Sequence, residues 1–321
     1  GTVFAATALS CAIAASAVVA RDLTIVTVGS ATLAGTYRAV AGAICDEANA
    51  SGPRDLRCSP ETTPGSVYNL FAMRRGELDF ALVQSDWQRS AVEGTGPFAG
   101  TGPMDDLRGV MSLYPEAVTL IARNDAGISN IGDIAGKAVD IGNPVTARRA
   151  TNERLLAALE LSAQDKSRFR ELAGSAVSSE FCRGNVDAIL LVLGHPNPSI
   201  ASVLSDCDGE IVPIAGPAIE TLVSENTDYA PTVISEDNYS SLTEDIETYS
   251  VSATLVTRSD VPDRVVTYLM HAVLDNLPAL QSSQRVLRDR SLSDMQFDGM
   301  TAPLHPAAAA VFAQVETTVG Q

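Results

Sequence analysis

The sequence predicts an α/β protein of two lobes, and three observations carry that expectation. Short apolar strands alternate with segments of helical spacing along most of the chain, the pattern of a sheet with crossover helices. Beyond a leader at residues 1–20, roughly 300 residues remain, near the limit of one core and natural for two lobes of roughly 150. Finally, Arg75-Gly76-Glu77-Leu78-Asp79-Phe80 is echoed by Arg183-Gly184-Asn185-Val186-Asp187-Ala188, each a helix end, a glycine stop and a strand with Asp near its start.

The elements follow in order. Gly1–Ala20 is almost wholly small and apolar, and Val18-Val19-Ala20 has the small-residue spacing of a signal-peptidase site, so an export leader is expected. Leu9-Ser10-Cys11 hints at a lipoprotein site, but Ala8 stands where a larger aliphatic residue belongs, and no lipid anchor at Cys11 is expected. No other run reaches the roughly 18 apolar residues of a membrane span. Leu23–Val28 reads as a strand, followed by a Gly-bounded loop and a helix whose Tyr37, Val40, Ala41, Ile44 and Ala48 share a face. A strand near Leu56–Ser59, a helix Ser66–Arg74 and a strand Leu78–Val83 come next, and apolar stretches flank Tyr114-Pro115-Glu116.

A second series starts near Val118. Ser129 caps a short helix ending at Gly136, Lys137–Ile141 is a strand, and a helix covers about Thr146–Leu159; Val177–Cys182, a strand Val186–Leu191 and a helix near Ser199–Leu204 follow. The region around Pro231 and Tyr239 reads as loop-rich, Tyr249–Thr257 as a strand, and the end as helices after Pro262, over Ala279–Arg288 and over His305–Val315. Crossings near Tyr114–Val118 and Tyr249–Ser252 would form a two-segment hinge that lets a cleft close. They divide the chain into residues 21–115 plus 251–321 and residues 116–250.

A net charge of −17 argues against nucleic acid or an anionic membrane surface as partner. Setting Cys11 aside leaves Cys45, Cys58, Cys182 and Cys207, an even number that suggests disulfides in an exported chain. The pairs adjacent in sequence, Cys45 with Cys58 and Cys182 with Cys207, each close a short loop and are favoured over the other two connectivities. Neither close Cys spacing nor partner histidines suit a metal, and no cofactor is expected.

Catalytic signatures are missing: there is no G-x-S-x-G, no H-E-x-x-H and no G-x-G-x-x-G after a strand, and Gly132–Lys137 falls short of a phosphate loop. Of the three histidines, His271 and His305 read as structural, whereas His195 follows a strand through Gly194 and sits at a rim. What recurs is a set of small polar residues at three successive strand ends: Ser30, Thr36 and Tyr37, then Gly65 and Ser66, then Gln84 and Ser85. Open α/β sheets bind ligands there, with helix-start N–H groups and hydroxyls suited to a carboxylate or amide. Glu61 and Glu116 are the acids placed to meet an ammonium group, and Arg148 or Arg149, after the Asn143-Pro144 turn, to clamp a carboxylate. Trp87 and Phe98 read as packing residues.

These motifs together resemble the TAXI-type substrate-binding proteins of TRAP transporters. The resemblance runs through Gly29-Ser30 and Gly35-Thr36-Tyr37, Thr62–Asn69, Gly76–Asp86, Glu93-Gly94 with Phe98, Leu113–Glu116, Ile131–Lys137, Asp187-Ala188, Gly194-His195-Pro196 and Leu304-His305-Pro306. It implies a periplasmic receptor with a type II-like two-lobed binding-protein fold, a hinge of two crossing segments, and no enzyme activity. The receptor would capture a small organic acid, an amino acid such as glutamate or a dicarboxylate or 2-oxoacid, and deliver it to a membrane permease. Carried over by motif, the contacts would be Ser30, Tyr37, Ser66, Asn69, Gln84 and Ser85 from the first lobe, and Glu116, Asn143, Thr146 and His195 from the second lobe and hinge. The same disulfide pairs fit the pattern of related sequences. One departure stands out: the family's Gly-Ser-Gly after Asn143-Pro144 is here Val145-Thr146-Ala147, which restricts backbone approach to an anion. The competing expectations are an exported serine hydrolase using Ser66, or Ser85 with Asp86 and His195, and the ligand-binding subunit of a sensory receptor.

Overall fold

A computed structural model describes residues 22–32, 35–144 and 146–319, with side chains to residue 315. The leader expected at residues 1–20, Cys11 and Val145 lie outside the described residues. β1 (Thr24–Gly29) leads into α1 (Thr36–Ser51), which buries Tyr37, Val40, Ala41, Ile44, Cys45 and Ala48 along one stripe. β2 (Leu56–Glu61), α2 (Ser66–Arg74), β3 (Phe80–Gln84) and α3 (Ser85–Glu93) follow. All five residues of β3 are buried, which is why Phe80–Val83 is continuously apolar: both faces of the strand are covered.

The apolar stretches flanking Pro115 form one 17-residue strand, β4 (Leu107–Arg123). The second series is β5 (Val139–Asp140), α4 (Ala147–Ala158), α5 (Val177–Cys182), β6 (Ala188–Leu193) and α6 (Pro198–Asp206). The region read as loop-rich contains β7 (Gly209–Val212), α7 (Pro217–Ser224) and β8 (Ala230–Ile234). Short strands and a proline inside β8 hid them from periodicity, and Pro231 is tolerated because β8 pairs on one side only, with β9. The short helix near Ser129 is a 3-10 turn, Ile131–Ile134, capped by Asn130. β9 (Ile246–Arg258), α8 (Asp263–Leu274), α9 (Leu277–Ser283), α10 (Leu292–Phe297) and α11 (Pro306–Val319) complete the chain.

Among the described residues nine strands form one sheet, ordered β2-β1-β3-β9-β4-β6-β5, with β7 on β4 and β8 on β9. β4 and β9 run antiparallel through its middle and cross at Glu116 opposite Val251. Apolar side chains segregate on either side of that crossing. Val26, Ile44, Phe80, Leu113, Leu255 and Leu269 belong to one core, and Val118, Ile134, Leu155, Leu190, Tyr249 and Val251 to another. The fold is thus two-lobed, with two crossing strands as its hinge.

The sequence echo has a bonding counterpart. Thr27 N–H donates to Asp79 Oδ2 at 2.9 Å, and Ala138 N–H donates to Asp187 Oδ2 at 2.7 Å, so each Asp ties its strand to the parallel neighbour. Each lobe also buries one asparagine whose amide bridges two strand ends. Asn69 Nδ2 donates to the carbonyls of Ser30 and Leu82 (2.9 and 3.0 Å), and Asn152 Nδ2 to those of Ile141 and Leu190 (3.1 and 3.2 Å).

Disulfides join Cys45 to Cys58, tying α1 to β2 across 13 residues, and Cys182 to Cys207, tying the ends of α5 and α6 across 25. The double variant Cys45→Ala/Cys58→Ala is expected to lose about 3 kcal/mol, because the open chain regains loop entropy. Urea unfolding reads this as a lower midpoint, and an unchanged midpoint would remove the crosslink from the account of stability. Among the described residues no helix is long and apolar enough to cross a membrane.

Candidate functional site

A cleft of about 670 Å³ opens between the lobes. The first lobe supplies the starts of α1 and α2 and the end of β3; the second supplies the start of α4, the end of β6 and Asn197 before α6; Glu116 of the crossing lies at its floor. Neither α1 nor α2 has a side-chain cap, and neither carries an acidic residue in its first turn. Their terminal N–H groups and dipoles therefore offer local positive potential in an acidic protein, the local requirement for holding an anion. The start of α2 depends on Gly65, whose φ of 111° L side chains rarely adopt, although nothing lies within 4 Å of an added Cβ. It is backbone conformation, and not space, that selects glycine there.

The floor is polar and buried. Tyr37 Oη donates to Glu116 Oε2 at 2.8 Å, and Gln84 N–H donates to Ser66 Oγ at 3.2 Å. Gln84 is 5% exposed, and its Oε1 has no hydrogen-bond partner among the described residues. Burial pushes the Glu116 carboxyl up to about 8, against the pull of the Tyr37 hydroxyl, while the charge of Asp86 pushes in the same direction as burial. Tyr37 rises well above the ordinary phenol range through burial first and the Glu116 charge second. At neutral pH the floor thus presents a mostly protonated carboxyl and an orphan amide oxygen, groups that call for hydrogen-bonding partners in a ligand.

Of the residues singled out from sequence, Thr36, Tyr37, Gly65, Ser66, Gln84, Glu116, Thr146 and Arg148 line this cleft. Arg148 does so while paired with the fully buried Asp140. Thr146 caps α4, accepting from Arg149 N–H and donating to the Asn143 carbonyl at 2.7 Å. Arg149 is engaged with Glu153 and Glu171.

Five others lie outside its lining. Ser30 is fully buried under the rim, with Oγ donating to the Glu61 carbonyl at 2.6 Å and its own carbonyl receiving Thr63 and Asn69. Asn69 is the buried brace already described. Ser85 Oγ donates to the Asp228 carbonyl (2.8 Å) and accepts from Ser252 N–H (3.0 Å). His195 lines a separate 370 Å³ cavity beside Pro115, with its ring bonded to Tyr239 Oη (2.7 Å) and Thr119 Oγ1 (2.9 Å). Burial lowers His195 to about 4, so its ring is neutral at neutral pH. Ser85 and His195 thus spend their hydrogen bonds on different partners and make no serine–histidine pair. Asn143 is not among the cleft-lining residues.

The cleft also contains side chains that sequence reasoning passed over, chiefly Tyr68 and Phe71 on α2 and Arg75 capping its C-terminus, Leu193 at the end of β6, and Asn197. The first three recur at i, i+3 and i+7, a helical stripe that was legible in the sequence. Its mixture of two aromatics and one arginine marked neither a core face nor a charged one.

The NMT1-like family model matches residues 28–314. Among solved structures, one titled as a periplasmic transporter is 13% identical at a TM-score of 0.55, covering 91% of this chain and 93% of that one. The aliphatic sulphonate binding protein SsuA from Escherichia coli is 13% identical at 0.50, covering 90% and 78%. XAC2383 from Xanthomonas citri, solved bound to a chloride ion, is 13% identical at 0.50, covering 92% and 97%. At such identity these structures speak to the fold alone.

Proposed function

The chain belongs to the NMT1-like family, and from that premise we propose that it is an exported solute receptor that captures a small organic acid between its lobes and presents it to a membrane transporter. In this reading the lobes are residues 21–115 with 251–321 and residues 116–250, and β4 and β9 are the hinge. Ligand contacts from both lobes stabilise the closed form only when the cleft is filled, so closure signals occupancy to the permease. The finer assignment, a TAXI-type receptor of a TRAP transporter working in the periplasm, rests on the sequence resemblance.

The observation that carries the reading is the pairing, in one interlobe cleft, of two uncapped helix starts with the buried Gln84–Glu116 floor. A carboxylate suits the helix starts, and an ammonium group suits Gln84 Oε1 and Glu116. An amino acid such as glutamate meets both ends. A dicarboxylate or 2-oxoacid meets the helix starts and relies on protonated Glu116 as a donor. SsuA, a neighbour of the same fold, is named for binding sulphonates, which are anions as well.

The test is a thermal-shift screen against amino acids, dicarboxylates, 2-oxoacids and sulphonates. A ligand at a hundred times its Kd adds about 2.7 kcal/mol to the folded state and raises Tm accordingly. Against the ligand so found, Ser66→Ala and Gln84→Ala are each expected to weaken binding about tenfold while leaving the ligand-free Tm within a few degrees. Unchanged affinity in both variants would remove the cleft from the account.

A further inference from the structure

Outside the cleft, a second set of polar groups joins the lobes. Asp86, in the first turn of α3, is 2% exposed and accepts from Thr151 Oγ1 of α4 at 2.7 Å. In the opposite sense, Asp228, just before β8, has a side chain with no exposed surface and accepts from Arg89 of α3 at 2.8 Å and from Arg154 of α4 at 3.0 Å. Arg154 also packs over the Tyr229 ring, 5.8 Å from its centroid. The Asp228 carbonyl takes the Ser85 hydroxyl. Each buried carboxylate therefore sits on one lobe and accepts from a donor on the other, Asp228 also pairing with Arg154 of its own lobe, and none of these residues lines the cleft.

We propose that Asp86 and Asp228 form an interlobe clasp, a reciprocal pair of buried carboxylates that holds the closed angle without any ligand and so sets the affinity of a site it does not touch. Opening about β4 and β9 would draw α3 away from α4 and from Asp228. The Thr151–Asp86 and Arg89–Asp228 bonds would then be lost while Arg154 stays with Asp228, and both carboxylates would regain water. Because desolvation of a buried ion nearly cancels its pairing energy, the clasp is weak enough to release. Its geometry, with bonds running in both directions, still defines one closed position. Arg89 and Arg154 keep 31% and 38% of their side-chain surface exposed, which leaves water a route into the contact.

The proposal draws on the receptor reading only in that the lobes move, and its test uses ligand-free protein, so the failure of either is separable. Nitroxide labels at Gly100→Cys and Ala163→Cys, exposed positions on the two lobes, report interlobe distance by double electron–electron resonance with both disulfides intact and Cys11→Ser. An added Cβ at Gly100 meets nothing within 4 Å. Arg89→Gln is expected to reduce the closed-to-open ratio about tenfold. Asp228→Asn should act in the same direction. Arg149→Gln, which breaks ion pairs contained within the second lobe, should leave the distribution unchanged. If Asp228→Asn fails to fold, Arg89→Gln decides alone. A distribution for Arg89→Gln that superimposes on those of wild type and Arg149→Gln overturns the clasp.

Discussion

Replacing Glu116 by Gln is expected to make the protein more stable than wild type above pH 8 and to remove a downward slope in stability between about pH 4.5 and pH 8. The folded protein holds this carboxyl at about 8, chiefly by burial, against a usual value of 4.5. Within that window the folded chain keeps a proton that the unfolded chain has released, so stability falls as pH rises. The contribution is fully present below about 4.5, declines through the window and levels off above about 8. The difference between wild type and Glu116→Gln should change by on the order of 3 kcal/mol from pH 5 to pH 8.5. Gln retains an oxygen that accepts from Tyr37 Oη, so packing is little disturbed. Asp86, pushed up to about 6 by burial, contributes a similar slope at lower pH in both proteins and cancels in the difference. Denaturant unfolding at several pH values supplies the curves, and parallel curves for the two proteins would mean that the carboxyl is ionised at the cleft floor.

Asn69→Ala should be among the most destabilising single substitutions, at about 3–5 kcal/mol. Its amide donates to the carbonyls of Ser30 and Leu82 in a fully buried setting, so truncation removes both bonds, leaves the Ser30 carbonyl to Thr63 Oγ1, and opens a cavity. The cleft suffers as well. Asn69 sits one turn into α2 and anchors that helix start to the ends of β1 and β3, which sets where the N–H groups of α2 point. Chemical denaturation reads the first effect and titration of the ligand found by thermal shift reads the second. A loss under 1 kcal/mol would show that water replaces the amide at both carbonyls.

How far the site was legible in the sequence depends on what each residue does with its hydrogen bonds. Tyr37, Gly65, Ser66 and Gln84 stood out as polar or permissive residues at strand ends, and all four line the cleft. Ser30, Asn69 and Ser85 carry the same local signature, yet they face inward and brace the rim. No local rule separates the two groups, because the direction of a side chain at a strand end depends on which element packs over it. His195 looked poised at a rim, but Tyr239 and Thr119, distant in sequence, take both ring nitrogens. The clasp joins Asp86 to Thr151 and Arg89 to Asp228, residues 65 and 139 positions apart, with nothing local to announce it.

By itself the sequence determined the alternation of strands and helices, the placement of α2 at Ser66–Arg74, the echo that ties a strand in each lobe, and the polar character of three strand ends. Those features are written in periodicity, turn residues and composition, which act over a few residues. Only the tertiary structure decided that β4 runs unbroken past Pro115, that β7 and β8 exist as strands, and which rim residues face the cleft. It also decided that Glu116 holds its proton, since burial beneath both lobes and the charge of Asp86 outweigh the pull of a tyrosine 79 residues away. Sheet pairing, burial and electrostatics are set by neighbours in space, and the chain acquires those neighbours only when it folds.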